Sequence, residues 1–228
     1  MPGTQTPPSP RRVFTPSELF QGLQELDIRL CRIYPGIPKV KIVIGGGLLV
    51  CSRWCTRPTT RGCDFIRAET HDVPDCFDWT MWRTCLAIAK ERNWAPDWMS
   101  DQFSMFLPED ENEEVDQSFL KECISQGPLV FDGQLLQAYA IKWDWALAST
   151  IDRVYDDEVK APPYCIADGV YLLRELILAR AGLPIKWDEF RKICSAYYNT
   201  HPLQLAEAAR YLAATYEKQF KYPGILIS

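Results

Sequence analysis

Three glycines, Gly45-Gly46-Gly47, follow a β-branched run, Val40-Lys41-Ile42-Val43-Ile44, and precede an apolar segment, Leu48 to Trp54. Glycines between a strand and a helix let backbone N–H groups approach an anion, and the first helical turn adds partial positive charge. A tight turn without a ligand is the other reading of the same residues. Four arginines come next, Arg53, Arg57, Arg61 and Arg67, against one acid, Asp64, so this window carries +3. Arginine suits bidentate phosphate contacts. The pattern is therefore either a phosphate-binding mouth or a set of solvated surface arginines. His71, beyond Asp64, could act as a general base or be an ordinary loop residue.

The elements that must position these groups are legible in outline. Residues 1–13 are polar and proline-rich and read as a flexible tail. Thr15-Pro16-Ser17-Glu18 is a capping box with proline at the first helical position, and Phe14 with Leu19 fits a hydrophobic staple. Leu19, Leu23, Leu26, Leu30 and Ile33 make one helical stripe, which Pro35-Gly36 ends. Val40–Ile44 reads as a strand, Leu48–Trp54 as a short helix and Cys63–Ile66 as a second strand. A helix around Trp79–Asn93 follows, with Trp82, Cys85, Leu86 and Ala89 on one face. A further helix over Gln117–Gln126 ends at Gly127, and Leu129–Phe131 is a short strand with a turn at Asp132-Gly133. From Leu135 the pattern Leu136, Tyr139, Trp143, Leu147, Ile151, Val154 predicts one long helix, and helices over 164–181, 187–198 and 202–219 complete the chain. The expected fold is α/β in the α+β sense: a small mixed sheet with flanking helices over 14–134, then a helical unit over 135–228 packed on it.

Composition sets the outer bounds. The chain has 228 residues, 47% apolar and 24% charged, which fits a globular protein and excludes a collagen-like or disulfide-scaffold chain. The formal charge of −5 comes from one run, Glu109, Asp110, Glu111, Glu113, Glu114 and Asp116; the remainder sums to +1. Acidity alone thus says little about any working surface. No apolar run approaches the ~20 residues of a membrane span, and the N-terminal residues lack the apolar core of a secretory signal. The expectation is a cytoplasmic protein with no membrane partner. Nine cysteines then read as reduced thiols packing as small apolar groups. Zinc is not expected, because Cys51-x3-Cys55-x7-Cys63 lacks paired C-x2-C spacing and the two histidines, His71 and His201, lie far apart.

Other residues invite chemistry with a plain alternative beside it. Asp152, Arg153, Asp156, Asp157 and Glu158 are either a solvated helix end or a lining for a guanidinium or amine. Asp168 interrupts an apolar helix and is either a satisfied buried group or a site residue. Most of the eight tryptophans sit at core spacings; Trp54 and Trp98 are the candidates for stacking on a base.

Gly46-Gly47 followed by Arg57-x-x-Thr60-x-x-x-Asp64 resembles the signature of nucleotidyltransferase-fold proteins, in particular the bacterial abortive-infection toxins and their relatives. Asp97-Trp98-Met99-Ser100-Asp101 with Phe106-Leu107-Pro108 is similar to a later segment of that family. Lys142 with Ala146-Leu147 and Asp152-Arg153 resembles its lysine-bearing helix, and Asp168 fits the helix aspartate that comes next. The resemblance spans roughly 40–200. It implies that Gly45, Gly46, Gly47, Arg53, Arg57, Thr60, Arg61, Lys142, Asp152, Arg153 and Asp168 contact a nucleoside triphosphate or an RNA phosphate. Members that transfer nucleotides hold two Mg²⁺ ions, about 3.5–4 Å apart, on an Asp-x-Asp pair and a third carboxylate. Here Gly62 replaces the first aspartate and only Asp64 remains, with Asp132 as a candidate third carboxylate. One Mg²⁺ held by Asp64 through substrate phosphates is the reduced form of that site.

Three functions follow as expectations. The first is a transferase acting on tRNA or a nucleotide without the two-metal mechanism. The second keeps the tRNA but transfers its amino acid, as in cyclodipeptide synthases, the fungal arginine-containing kind included; Asp64 or His71 would be the base and the Gly45–Gly47 amides the oxyanion donors. The third is a degenerate, non-catalytic nucleotide or RNA binder.

Overall fold

The computed structural model describes residues 12–68, 72–154 and 164–227. Helix α1 (Pro16–Ile33) opens with the capping box: the Thr15 hydroxyl accepts the Glu18 N–H at 3.3 Å while Glu18 Oε2 accepts the Thr15 N–H at 2.8 Å. Leu19, Leu23, Leu26 and Leu30 are wholly buried, whereas Ile33, the last of the expected stripe, is half exposed beyond the core.

Strand β1 (Val40–Gly45) runs into α2 (Gly46–Arg53), and β2 (Cys63–Arg67) returns antiparallel to β1. Helix α3 (Phe77–Glu91), β3 (Met99–Ser100), a 3₁₀ turn (Gln102–Phe106), α4 (Gln117–Gln126) and β4 (Leu129–Asp132) follow. Strand β5 (Leu136–Ala140) then lies parallel to β1 and antiparallel to β4. The mixed sheet has the order β3-β2-β1-β5-β4, so β1 is its centre. One face is covered by α1 and α3 and carries Val40, Ile42, Ile44 and Leu136; the other packs, through Val43 and Ile66, on the helices that come later in the chain.

Those helices are α5 (Trp143–Val154), α6 (Tyr164–Ala179), α7 (Trp187–Ser195) and α8 (Pro202–Phe220), with a small parallel pair β6 (Ile185–Lys186) and β7 (Ile225–Leu226) beside them. The α/β architecture with a mostly helical second half is as expected. Among the described residues no helix is long and apolar enough to cross a membrane. All nine cysteines carry free thiols.

Two sequence expectations change. The long helix from Leu135 is instead a strand and a helix: residues 136–140 belong to the sheet, and α5 starts only after Lys142, whose carbonyl accepts the Ala146 N–H at 2.9 Å. Leu136, Ala138 and Ala140 are buried while Gln137 and Tyr139 are partly exposed, a period of two hidden inside residues of helical propensity. On α3 the buried face is Phe77, Met81, Cys85 and Ile88; Trp82 stands half exposed with Trp79, the two rings stacked 5.0 Å apart.

Strand β5 is placed by a residue outside every expected pattern. Asp27, wholly buried on α1, accepts the N–H groups of Gln134 at 2.8 Å, Leu135 at 2.8 Å and Leu136 at 2.7 Å. Its carboxylate thereby satisfies three donors at the tight turn between β4 and β5. Replacing it strands those donors in the core. Asp27→Ala is expected to lower unfolding stability by about 3–5 kcal/mol, read as a drop in the urea midpoint with little change in slope. An unchanged midpoint would contradict the clasp.

Candidate functional site

The glycine turn sits at the C-terminal end of the central strand. Gly45 is extended, Gly46 has φ +62°, and α2 begins at once. The N-cap is Gly45, which has no side chain to cap this helix end, and among the described residues no side chain bonds the first-turn amides, which lie beside positive dipole charge. The antiparallel register pairs Gly45 with Asp64 and so sets the carboxylate against the turn. A Cβ on Gly46 would lie 2.0 Å from Asp64 Oδ2, and one on Gly47 1.7 Å from Thr60 Oγ1. Both positions therefore exclude any side chain. Thr60 is fixed by paired backbone hydrogen bonds to Phe14, at 2.7 and 2.8 Å.

A second carboxylate approaches from the helical half. Asp168 on α6 is buried, accepts the Thr56 hydroxyl at 2.5 Å and lies 3.7 Å from Arg57 Nη2. Arg57 also lies over the Tyr164 ring, 4.1 Å from its centroid, and its buried Nε finds no partner among the described residues. Burial pushes the Asp64 carboxyl above its ordinary value, against the pull of Arg153 and Arg57. Asp168 is likewise raised by burial, against the Thr56 hydrogen bond and the same two arginines. Two carboxyls made harder to ionise, beside two arginines and free helix-end amides, form a proton-accepting and anion-holding arrangement.

The donor set does not make a two-ion site. A Cβ at Gly62 would meet the Trp98 carbonyl oxygen at 2.8 Å, so the peptide backbone itself bars a carboxylate there. Asp132 lies elsewhere: β4 runs antiparallel to β5, which pairs Asp132 with Gln137 and so sets it, one strand further out, level with Lys41 near the start of β1. Four residues of strand, about 13 Å, separate that level from Gly45. There Asp132 is held by Lys39 at 2.7 Å, which lowers its carboxyl below the usual range. Among the described residues no three His, Cys, Asp or Glu side chains converge.

The remaining candidates divide. Arg53 is committed to Glu175 through two hydrogen bonds, at 2.9 and 3.0 Å, and lies over Trp143. Arg67 is likewise bound twice to Asp78, at 2.6 and 2.7 Å. The +3 window is thus largely compensated by acids outside it, Glu175, Asp168 and Asp78, while Arg61 stays on the surface. Lys142 bonds Glu122 at 2.6 Å and Tyr197 at 3.2 Å, with Asp144 at 3.3 Å. Burial works against its charge, yet these partners hold its pKa above the ordinary value. Asp152 accepts the Thr200 hydroxyl at 3.0 Å. Trp98 is fully buried, donating to the Cys85 carbonyl at 3.0 Å, and so offers no face to a base; Trp54 is partly buried, donates to Glu175 and lies stacked on Tyr171 beside Trp143. His71 and Asp156–Glu158 lie outside the described residues.

Sequence reading missed Thr56 and Tyr164. Thr56 adjoins Arg57, which was a usable signal; Tyr164 reaches the site only through the packing of α6. No family model matches the chain, and neither a curated protein nor a solved structure matches it.

The raised carboxyl of Asp64 has a stability consequence. The folded state keeps its proton to higher pH than the unfolded chain, whose value is near 3.8. Its contribution is therefore full below that value and is lost as pH rises through the folded one. Asp64→Asn, which removes the ionisation, is expected to be more stable than the parent at neutral pH, the difference closing on acidification. Urea midpoints of the two proteins across that range measure it; a variant less stable at neutral pH would contradict burial as the dominant influence.

Proposed function

We propose that the chain is a transferase acting on tRNA or a nucleotide, with Asp64 as its general base in place of a pair of metal ions. The observation that carries this reading is the seating of the Asp64 carboxylate against Gly46 at the uncapped start of α2. A carboxyl with a raised pKa is a stronger base than an ordinary aspartate, and proton transfer of this kind contributes roughly 10²–10⁴ in rate. The amides of the first turn would hold a phosphate or an oxyanion. Arg57 and Arg153, both within electrostatic reach of Asp64, add positive charge.

In nucleotidyl transfer the attacking hydroxyl would give its proton to Asp64 as pyrophosphate leaves. A second reading is favoured by the absence of a carboxylate at Gly62: an amine attacks an aminoacyl ester, Asp64 takes the amine proton and returns it to the ribose oxygen, and the C–O bond breaks to release the tRNA hydroxyl. That step needs a base and an oxyanion hole but no ion pair.

Mass spectrometry after incubation with aminoacylated total tRNA, nucleoside triphosphates and Mg²⁺ distinguishes the two. A tRNA lengthened by nucleotides supports the first and a dipeptide the second; neither product from the parent protein would overturn both. Asp64→Asn is expected to reduce the observed product by about 100-fold or more, with tRNA affinity little changed and falling steeply with salt in both proteins.

A further inference from the structure

A cavity of substantial size lies away from this site. It has a volume of about 580 Å³ and opens at the sheet edge between β2, β3, α3 and the 3₁₀ turn. None of Gly46, Arg57, Asp64 or Asp168 lines it. Its size is that of small-molecule sites, roughly 300–1,000 Å³. The floor is apolar and polarizable: Phe65, Met81, Cys85 and Met99, with the Cys85 and Met99 sulfurs 3.8 Å apart.

Its polar groups point to one sign of ligand. Arg67 and Asp78 both border the cavity and are bound to each other through two hydrogen bonds. Asp97 and Asp101, on either side of β3, also border it, and neither has a salt-bridge partner among the described residues. The unbalanced charge of the lining is therefore negative. Trp82 forms part of the rim, half exposed, with Trp79 stacked on it at 5.0 Å. Trp79 supports the Trp82 ring from outside the cavity, since it borders a different groove. An indole held in place beside free carboxylates is a recognised means of binding an organic cation. Strand addition is a poor alternative, because β3 offers only two residues of edge.

We propose that this cavity is a binding site for a small organic cation, an ammonium or guanidinium on an apolar or aromatic body. The body rests on the Met81–Met99 floor and the charged head lies between Trp82 and the carboxylates of Asp97 and Asp101. This site is independent of the Asp64 chemistry.

Tryptamine, which joins an ammonium to an indole, is the probe, with its neutral alcohol analogue tryptophol and the anion indole-3-acetate as isosteric controls. Calorimetric titration of the full chain is expected to show tryptamine binding about tenfold or more tighter than tryptophol, and no binding of the anion. Asp97→Asn and Asp101→Asn are each expected to weaken tryptamine several-fold, and Trp82→Ala a few-fold. The two aspartates are exposed and, among the described residues, without an ion-pair partner, so their variants retain the fold, which thermal melting checks. Asp64→Asn leaves the affinity unchanged. No binding of tryptamine at millimolar concentration, equal binding of the anion, or an affinity untouched in the Asp97→Asn/Asp101→Asn double variant would each overturn the proposal.

Discussion

A buried carboxylate on the first helix sets the frame of this molecule. Asp27 collects three consecutive backbone N–H groups at the turn into β5. Those donors would otherwise be stranded beneath α1, since the turn has no strand neighbour to receive them. Capturing them lets the Leu135 carbonyl accept the Val40 N–H at 2.7 Å, and this fixes the level at which β5 runs beside β1. Two consequences follow at the far end of the sheet. Ile141 donates to the Ile44 carbonyl at 2.9 Å, and α5 departs at Lys142 toward the helical half. A contact at one end of the central strands thus decides where the helices begin at the other.

The candidate site occupies that other end, and close approach governs it. Three features meet there: the register that sets Asp64 beside Gly45, the left-handed Gly46, and two glycines with no room for a Cβ. Only hydrogen side chains allow a carboxylate and a threonine hydroxyl to approach the start of α2 so closely. Gly62 is governed by the same kind of constraint with the opposite chemical result. The backbone of Trp98 lies where a side chain would go, so no second carboxylate can stand two residues before Asp64. With glycine at position 62, β2 presents one partly buried acid with a raised pKa, a group suited to moving protons rather than to holding a cluster of ions.

Electrostatics ties the two halves of the chain together. Arg53 and Trp54 of α2 share Glu175 on α6, and Arg57 reaches Asp168 on the same helix. Of the four arginines that look exposed and phosphate-seeking along the sequence, Arg53 and Arg57 thus meet acids more than a hundred residues away, and Arg67 meets Asp78 on the next helix. Arginine in such a place links elements and also supplies positive potential to the acids beside it, as Arg57 does for Asp64.

Local patterns were legible wherever one element carried its own signals. The capping box at Thr15 and Glu18, the leucine stripe of α1, the strand–glycine–helix order at 40–53 and the end of α4 at Gly127 all read directly, because caps, periodicity and turn glycines act over a few residues. The nomination of Asp64, Thr60, Arg57 and Asp168 was also made at that level. What the sequence could not rank was partnership. Leu136–Ala140 has the composition of a helix and becomes a strand because Asp27 and β1 satisfy its backbone. Asp132 falls at the wrong end of the sheet because β4 is antiparallel to β5. Arg53 and Lys142 are tied up by Glu175 and Glu122. The sequence by itself determined which groups could do chemistry and the kinds of element that carry them. Only the tertiary structure decided which of those groups meet, because register, burial and charge pairing depend on residues that are distant along the chain and adjacent in space.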